Sequence, residues 1–333
     1  MGKLFNFFSG SSTKEKKGIS KKEAEKLKNL NFANFLKVLG VRFNTIMKAN
    51  GLFLLCNIPI LFAFYATAGF HNIKTRVPVD LFFPNVYGAT IYEGNNASTA
   101  ALNGLFGFFT NFSIPSTTTI ILYCISLLTI LTFGLSNAGL TYLMRESVRG
   151  NVVMAWADFW SAIKKNFKQC IFIGIADIIV VFLLVYDLFV FYQTSNDTTG
   201  AIGFTAILII SFTYLIMRNY IYMLSITFDF KFKVVVNYSF RLALLGIKRN
   251  LAAVFGIILV IVLNFFIAQF ILAIGLILPF ILTIGLCSFI GAYTSWPVVE
   301  KYLIDKDVEK KKKNALYEYY DIEEDENGEE DKK

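Results

Sequence analysis

The sequence has few of the residues on which enzyme or metal chemistry usually depends. Its only histidine is His71, and it has no HExxH, GxSxG or phosphate-cradling glycine-loop motif. Its four cysteines share no CxxC spacing, which argues against a disulfide framework and against a zinc site. These absences predict a protein that is not an enzyme and that binds no metal or other cofactor.

Charge is also scarce, and its scarcity excludes an ordinary soluble domain. Only 17% of the 333 residues are charged and 55% are hydrophobic, whereas a soluble domain carries about 25% charged residues. The apolar residues are gathered into runs, and a run of about 20 apolar residues can span a bilayer as a helix. We therefore predict an all-α polytopic membrane protein with six transmembrane helices. The predicted spans are Leu52–Ala68, Ile120–Leu143, Cys170–Phe191, Ala201–Phe228, Leu251–Gln269 and Leu272–Tyr293.

The few charges are distributed unequally between the two sides of this topology. If the N-terminus lies inside, 29 of the 32 Lys and Arg residues fall in inner segments, and only Lys74 and Arg76 fall outside. The positive-inside rule then predicts a multi-pass protein of the cell membrane with both termini cytoplasmic, and with the lipid bilayer as its surroundings. Nucleic-acid binding would need a basic fold outside the membrane, which the sequence does not indicate. The predicted regions are a basic arm (1–31), a transmembrane domain (32–295) with an outer loop (69–119), and a tail (296–333) that is first basic and then acidic.

Amphipathic segments are predicted on the inner side before spans 1, 3 and 5. The most distinctive is the stretch WADFWSAIKKNFKQC, from Trp156 to Cys170. Over Val152–Phe167 the apolar residues recur at helical spacing, with lysines on the other face. Such a helix could lie in the membrane interface, or it could pack against the inner ends of the spans. The residues proposed for this helix are Trp156, Asp158, Phe159, Trp160, Lys164, Lys165 and Lys168.

Two further local patterns make testable predictions. Pro59 falls inside the first predicted span, where a proline frees a backbone carbonyl and often kinks the helix. In the outer loop the helical spacing of five apolar residues predicts a short helix on the outer surface. Those five residues are Leu102, Leu105, Phe106, Phe109 and Phe112.

Ionisable residues inside spans are costly unless they are paired or hydrated, so they point to function or to specific packing. Asp177 lies in the third span, and Arg218 lies at a matching depth in the fourth, which runs the opposite way. At a rise of 1.5 Å per residue, both are about 10–15 Å from the cytoplasmic face. The sequence therefore predicts an Asp177–Arg218 pair, which either fixes the register of the hairpin or forms a substrate or proton site.

The runs NAGLTYLMRESVRG and WADFWSAIKKNFKQ resemble the core of the YesL-like integral membrane proteins of Gram-positive bacteria, a family of unknown function. The resemblance covers about residues 1–190. It implies an accessory or regulatory role linked to carbohydrate uptake, with an ABC-type sugar transporter or another membrane protein as the partner. A small-solute transporter or channel with a site near Asp177 and Arg218 is the alternative. The matching positions of the family motif include Gly139, Tyr142, Arg145, Asn166 and Gln169.

Overall fold

The computed structural model describes residues 31–78, 97, 109–195 and 197–305. The predicted basic arm, apart from Asn31, and the tail beyond Asp305 lie outside these residues. The first elements are α1 (Phe32–Cys56), α2 (Pro59–Thr67), β1 (Ile73–Pro78), β2 (Phe109–Ile114), α3 (Thr117–Ser126) and α4 (Leu128–Arg149). They are followed by α5 (Ala155–Lys165), α6 (Phe167–Gln193), α7 (Thr198–Thr227), α8 (Phe232–Leu245), α9 (Ile247–Phe270), α10 (Leu272–Leu278) and α11 (Ile284–Val299). Short π-helical turns at Pro279–Thr283 and Glu300–Ile304 flank α11.

The predicted helical membrane architecture is confirmed. Five helical stretches in the described residues are long and apolar enough to cross a membrane, and a sixth crossing exists if α1 and α2 form one bent span. The five are Thr117–Arg149, Phe167–Gln193, Thr198–Thr227, Ile247–Phe270 and Leu272–Ile304.

The first predicted span, Leu52–Ala68, is broken by a bend next to Pro59, as the proline predicted. Helix α1 ends at Cys56, and α2 begins at Pro59. Proline has no backbone N–H, and it is tolerated in the first turn because the amides there have no acceptor within the helix. The amphipathic segment predicted before this span is not a separate helix. It runs without interruption through Asn50 and Gly51 into the apolar part of α1. The buried Asn50 side chain donates to the Phe280 carbonyl and accepts the Gly285 amide, so its polar atoms have partners inside the core.

The chain divides into two compact units, and the smaller one comprises residues 57–129. In it β1 and β2 pair antiparallel, with Ile73 opposite Ile114 and Pro78 opposite Phe109. The helix expected around Phe109 and Phe112 is therefore wrong at these two positions, which belong to β2. The segment FTNFSI is rich in aromatic and β-branched residues, and cross-strand pairing overrides its helical spacing. The other three residues of that predicted helix lie outside the described residues.

The larger unit comprises residues 1–56 and 130–333, and its core lies at one end of the spans. In α7 every residue from Tyr220 to Ile226 is buried, whereas Ile202 and Ile209, nearer the other end, are more than half exposed. Buried residues of α1, α4, α5, α8 and α11 join the same core. Apolar side chains that remain exposed on α6, α7 and α9 are those a lipid-facing surface requires.

Two short connections place α5 and α6 relative to α4. After α4, Gly150 has a positive φ of 81°. The amide of Gly150 donates to the Ser147 carbonyl, and that of Asn151 donates to the Glu146 carbonyl. This is a Schellman ending, and glycine is the residue that adopts its left-handed conformation at little cost. The corner between α5 and α6 is the single residue Asn166, and Gly246 forms the equivalent corner between α8 and α9.

Candidate functional site: a charged cluster between three spans

An ion pair joins α6 to α7. The Nε atom of Arg218 lies 2.7 Å from Oδ2 and 3.0 Å from Oδ1 of Asp177. Asp177 is ten residues from the start of α6 and Arg218 is nine residues from the end of α7, which is about 14–15 Å along each helix at 1.5 Å per residue. The antiparallel arrangement of the two helices thus brings the charges to the same level.

Two tyrosines of α7 complete the coordination of the carboxylate. The Tyr214 hydroxyl donates to Asp177 Oδ1 at 2.7 Å, and the Tyr222 hydroxyl donates to Oδ2 at 2.8 Å. The single Nε–H of Arg218 is shared between the two carboxylate oxygens, so three donor groups serve the carboxylate and each oxygen receives one tyrosine hydroxyl as well. The Asp177 side chain is only 3% exposed. The charge is therefore removed from lipid and fully compensated by neighbouring donors, as a buried charge requires.

Helix α4 contributes the third side of the cluster. Arg218 Nη2 donates to Asn137 Oδ1 at 3.2 Å, while Asn137 Nδ2 donates to the Phe133 carbonyl at 2.8 Å. The guanidinium carbon also lies 5.5 Å from the centre of the Phe133 ring and 5.2 Å from that of Tyr222. These contacts add hydrogen-bond and cation–π stabilisation to the ion pair.

A glycine crossing makes this arrangement possible. A Cβ atom on Gly134 of α4 would lie 2.6 Å from the Gly174 Cα of α6, and a Cβ on Gly174 would lie 2.3 Å from the Gly134 Cα. Both distances are too short for any side chain. Small residues at a membrane helix crossing allow such close backbone approach. The crossing lies one turn from Asn137 and Asp177, so it sets the distance between the two arms of the cluster.

A cavity of about 200 Å³ adjoins the cluster between α6, α7 and α8. The polar groups of Asp177, Tyr214 and Tyr222 are bonded to one another or to Arg218 at its edge. Its other walls are hydrocarbon from Ile173, Ala176, Val180, Met217, Ile221, Phe232 and Val236.

The aromatic helix predicted over Val152–Phe167 is a shorter helix, α5. Phe159 is fully buried against α4, and Ile163 is also buried. These are the contacts of a helix packed against the spans. Val152 and Phe167, which were assigned to the apolar face, are 46% and 49% exposed. The reason is that α5 begins at Ala155 and ends at Lys165, so both residues lie outside it.

The remaining residues predicted for this helix lie on or near its outer surface. Trp156 and Trp160 are half-buried and contact each other edge to face at 5.9 Å. Lys164, Lys165 and Lys168 are exposed. The Asp158 carboxylate, inside α5, reaches back and accepts the amide of the N-cap residue Met154 at 2.7 Å.

Burial is the main influence on Asp158, and it raises the pKa of this carboxyl above its usual range. The charge of Glu146 acts in the same direction, while the bond from the Met154 amide opposes the shift.

The five family-motif residues have identifiable packing roles. A Cβ on Gly139 would lie 2.6 Å from the Phe159 ring, so glycine is needed where α5 meets α4. Asn166 forms the α5–α6 corner and donates to the Ala162 carbonyl at 3.2 Å. Gln169 donates to the Phe230 carbonyl at 3.0 Å, which ties α6 to the connection between α7 and α8.

The other two motif residues, Tyr142 and Arg145, belong to a second ionic cluster at the end of α4. Arg145 Nη2 lies 2.8 Å from Glu146 Oε1, and Arg149 Nη1 lies 3.1 Å from the same oxygen. Arg145 also donates to Thr227 Oγ1 at 2.8 Å, and its guanidinium carbon lies 4.7 Å from the centre of the Tyr142 ring. This cluster fastens the end of α4 to the end of α7. The sequence held a signal for part of it, since Glu146 and Arg149 in RESVR are three residues apart and therefore adjacent on a helix surface.

Sequence reasoning named Asp177 and Arg218 but missed the rest of their cluster. Tyr214, Arg218 and Tyr222 recur at i, i+4 and i+8, so they lie on one face of α7. That spacing was a usable signal. The participation of Asn137 had no comparable signal, because it depends on the crossing of α4 and α6.

The described residues contain no group of three His, Cys, Asp or Glu side chains that could hold a metal ion. The charged cluster itself consists of a carboxylate–guanidinium pair with two phenols.

Residues 99–188 match the sequence model of a family described as "Protein of unknown function, DUF624". This segment includes Asn137, Gly139, all of α5 and Asp177, whereas Arg218 lies beyond it. Comparison with curated proteins and with solved structures yields no match.

Proposed function

We propose that this protein is a non-enzymatic integral membrane component that acts through contacts with other membrane proteins. In this proposal the Asp177 cluster has a structural role and is the clamp that holds α4, α6 and α7 together. The observation that supports this proposal is the coordination of Asp177. Its carboxylate is bonded by three donors, the Arg218 Nε–H and the hydroxyls of Tyr214 and Tyr222, and is 3% exposed. A substrate or proton site would need to exchange at least one of these bonds during each cycle.

The proposed context is carbohydrate uptake, with an ABC-type sugar transporter or another membrane protein as the partner. This context is supported by the resemblance of residues 1–190 to the YesL-like proteins of Gram-positive bacteria. On the same resemblance we propose that the protein is a YesL-like protein. We further propose a cell-membrane location with both termini cytoplasmic. The support for this topology is the concentration of 29 of 32 basic residues in the predicted inner segments.

A small-solute transporter or channel is the second candidate. The cavity of about 200 Å³ beside Asp177 and Arg218 favours it, because an intramembrane charge next to a cavity is a common feature of transport sites. The hydrocarbon character of most of the cavity wall supports the accessory role more strongly than this alternative.

The two candidates differ in how a cell responds when the pair is neutralised. Sugar uptake would be compared in cells that lack the protein, cells with the wild type, and cells with Asp177→Asn combined with Arg218→Gln. The accessory role predicts that the double variant restores uptake to the wild-type level if it accumulates in the membrane in equal amounts. A double variant that is present and folded but restores no uptake would favour the transport candidate.

The partner is tested separately. The wild type would be purified in mild detergent from cells with a tagged ABC-type sugar permease, and the two would be quantified by immunoblotting. Stoichiometric co-purification supports the proposed partner. Uptake that depends on this protein without any association with the permease would remove that partner from the proposal.

A further inference from the structure

The cavity between α6, α7 and α8 has the wall expected of a hydrocarbon-binding site. The polar atoms at its edge are engaged in the Asp177 cluster, and the remaining surface is provided by aliphatic and aromatic side chains. An apolar cavity of about 150 Å³ stays dry and can bind benzene. The cavity here, at about 200 Å³, has room for a section of an acyl chain.

Exposed lysines lie at the end of the helices that enclose this cavity. Lys168 is in the first turn of α6, while Lys231 and Lys233 flank the start of α8, and all three are exposed. The bond from Gln169 to the Phe230 carbonyl holds these two segments together. Asp229 offsets one of these three lysine charges, so the four residues together carry a net charge of +2.

The cavity lies at acyl-chain depth relative to these lysines. Along α6, its lining begins at Ile173, five residues after Lys168, and ends at Val180, twelve residues after it. At 1.5 Å per residue, the cavity extends from about 7 to about 18 Å below the lysine. The hydrocarbon core of a bilayer is about 30 Å thick, so the cavity lies within a single leaflet.

Two aromatic rings lie at the lysine end of the cavity. Phe172 of α6 is 57% exposed, and its ring meets the Phe232 ring edge to face at 4.9 Å. Phe232 also lines the cavity. Phe172 directly precedes the lining residue Ile173, and Phe232 stands between Lys231 and Lys233 in the chain, so the two rings lie at the lysine end of the cavity, where the glycerol region of a bound phospholipid would pass.

We propose that this surface is a binding site for one anionic phospholipid, with its phosphate at Lys168, Lys231 and Lys233 and part of one acyl chain in the cavity. Basic pockets between transmembrane helices bind anionic headgroups. The apolar wall adds a contact that a dissolved anion cannot use. The lysines would supply headgroup selectivity and the cavity would supply chain-dependent affinity.

The first test compares phosphatidylglycerol with phosphatidylcholine carrying the same acyl chains. The full-length protein in detergent would be titrated with each lipid, and bound lipid would be counted by native mass spectrometry. We expect one phosphatidylglycerol to bind about tenfold more tightly than phosphatidylcholine, since each lysine near an anionic headgroup contributes a several-fold effect. Equal affinity for the two lipids in the wild type would overturn the proposal.

The headgroup contact is tested with a triple variant in which Lys168, Lys231 and Lys233 are replaced by Gln. The preference for phosphatidylglycerol should fall to about one. A matched control replaces three other exposed lysines, Lys164, Lys165 and Lys248, by Gln and should keep this preference. If both triple variants lose the preference equally, the lysines act as a general positive surface and no specific site exists.

The chain contact is tested with a photoreactive diazirine on the acyl chain of phosphatidylglycerol, bound to the wild-type protein. We expect adducts on the cavity-facing positions of α6, α7 and α8. Ala176→Phe should fill the cavity and lower the adduct yield several-fold, while Ala176→Ser, which is nearly the same size, should not. Adducts spread evenly over the lipid-facing helices, as on α9, would refute the site even if Ala176→Phe fails to fold.

Discussion

Neutralising one member of the Asp177–Arg218 pair should destabilise the protein more than neutralising both. In Arg218→Gln, the Asp177 carboxylate loses its counter-charge while it stays 3% exposed. In Asp177→Asn, the guanidinium stays at the same depth without a carboxylate. The double variant replaces both charges by amides, which can bond to each other and to the two tyrosines.

The expected magnitudes follow from the geometry. A charge left alone at the centre of a span costs about 2.5–3.5 kcal/mol on insertion scales, and breaking a buried pair costs about 3–5 kcal/mol. The Arg218 side chain is 25% exposed, so it is only partly desolvated, and the cost of breaking the pair should lie near the lower end of the range of about 3–5 kcal/mol. We expect each single variant to lose about 3 kcal/mol and the double variant to lose about 2 kcal/mol. The coupling energy would then be about 4 kcal/mol, well above the average of about 0.6 kcal/mol for interhelical hydrogen bonds in a membrane protein.

The assay is a double-mutant cycle, with the free energy of unfolding measured in mixed micelles at constant lipid content. Tyr214→Phe is the matched control, since it removes one hydrogen bond to the same carboxylate and leaves the charges in place. It should cost about 0.5–1 kcal/mol. If the two single effects add within about 0.5 kcal/mol, the side chains do not interact energetically and the clamp is refuted.

Three other perturbations test the packing around the cluster. Gly139→Ala should cost about 1–3 kcal/mol because its methyl group would lie 2.6 Å from the buried Phe159 ring; Phe159→Leu should recover part of this loss in thermal unfolding, and an additive loss would contradict the contact. Asn50→Ala should cost about 2–3 kcal/mol, because Asn50 accepts the Gly285 amide at 2.7 Å and donates to two carbonyls of the π-helical turn; hydrogen exchange should show a local opening at Gly285, and unchanged protection there would refute this role. Burial raises the pKa of the Asp158 carboxyl in the folded protein, so its ionised form lowers stability at neutral pH and this loss disappears as the pH falls through the raised pKa. Asp158→Asn should thus raise the melting temperature at pH 7 and have little effect in acid; a larger gain in acid than at pH 7 would reverse the assigned direction.

Local sequence patterns identified α5 but not its ends. Its apolar spacing and the lysines opposite predicted a helix over Val152–Phe167, and the helix found is Ala155–Lys165. The difference arises at the corners. Gly150 ends α4 with a left-handed turn, and Asn166 separates α5 from α6. A periodicity argument is insensitive to such single-residue corners, since the apolar pattern continues across them.

The outer loop shows the opposite case, in which a pattern indicated the wrong element. Phe109 and Phe112 fit a helical stripe by spacing, yet they belong to a strand paired with Ile73–Pro78. The partner strand is more than thirty residues away in the sequence. Non-local pairing of this kind leaves no trace in the spacing of one segment.

The sequence by itself determined the class of the protein and the existence of its charged pair. Runs of about 20 apolar residues leave a helical membrane protein as the available architecture, because backbone groups in lipid must be bonded within the segment. The cost of an isolated charge in hydrocarbon makes a partner for Asp177 necessary, and Arg218 is at the right depth.

Only the tertiary structure decided what surrounds the pair. The Gly134–Gly174 crossing brings Asn137 to Arg218, and the same face of α7 supplies two tyrosines to Asp177. The core also lies at one end of the spans, and hydropathy does not separate its buried apolar side chains from the apolar side chains that remain exposed. The physical reason is that hydropathy records the transfer of each side chain into an apolar medium, and protein and lipid are nearly equivalent media for an apolar side chain. Which of the two surrounds a residue depends on how closely the helices approach, and this is settled by contacts between segments far apart in the chain.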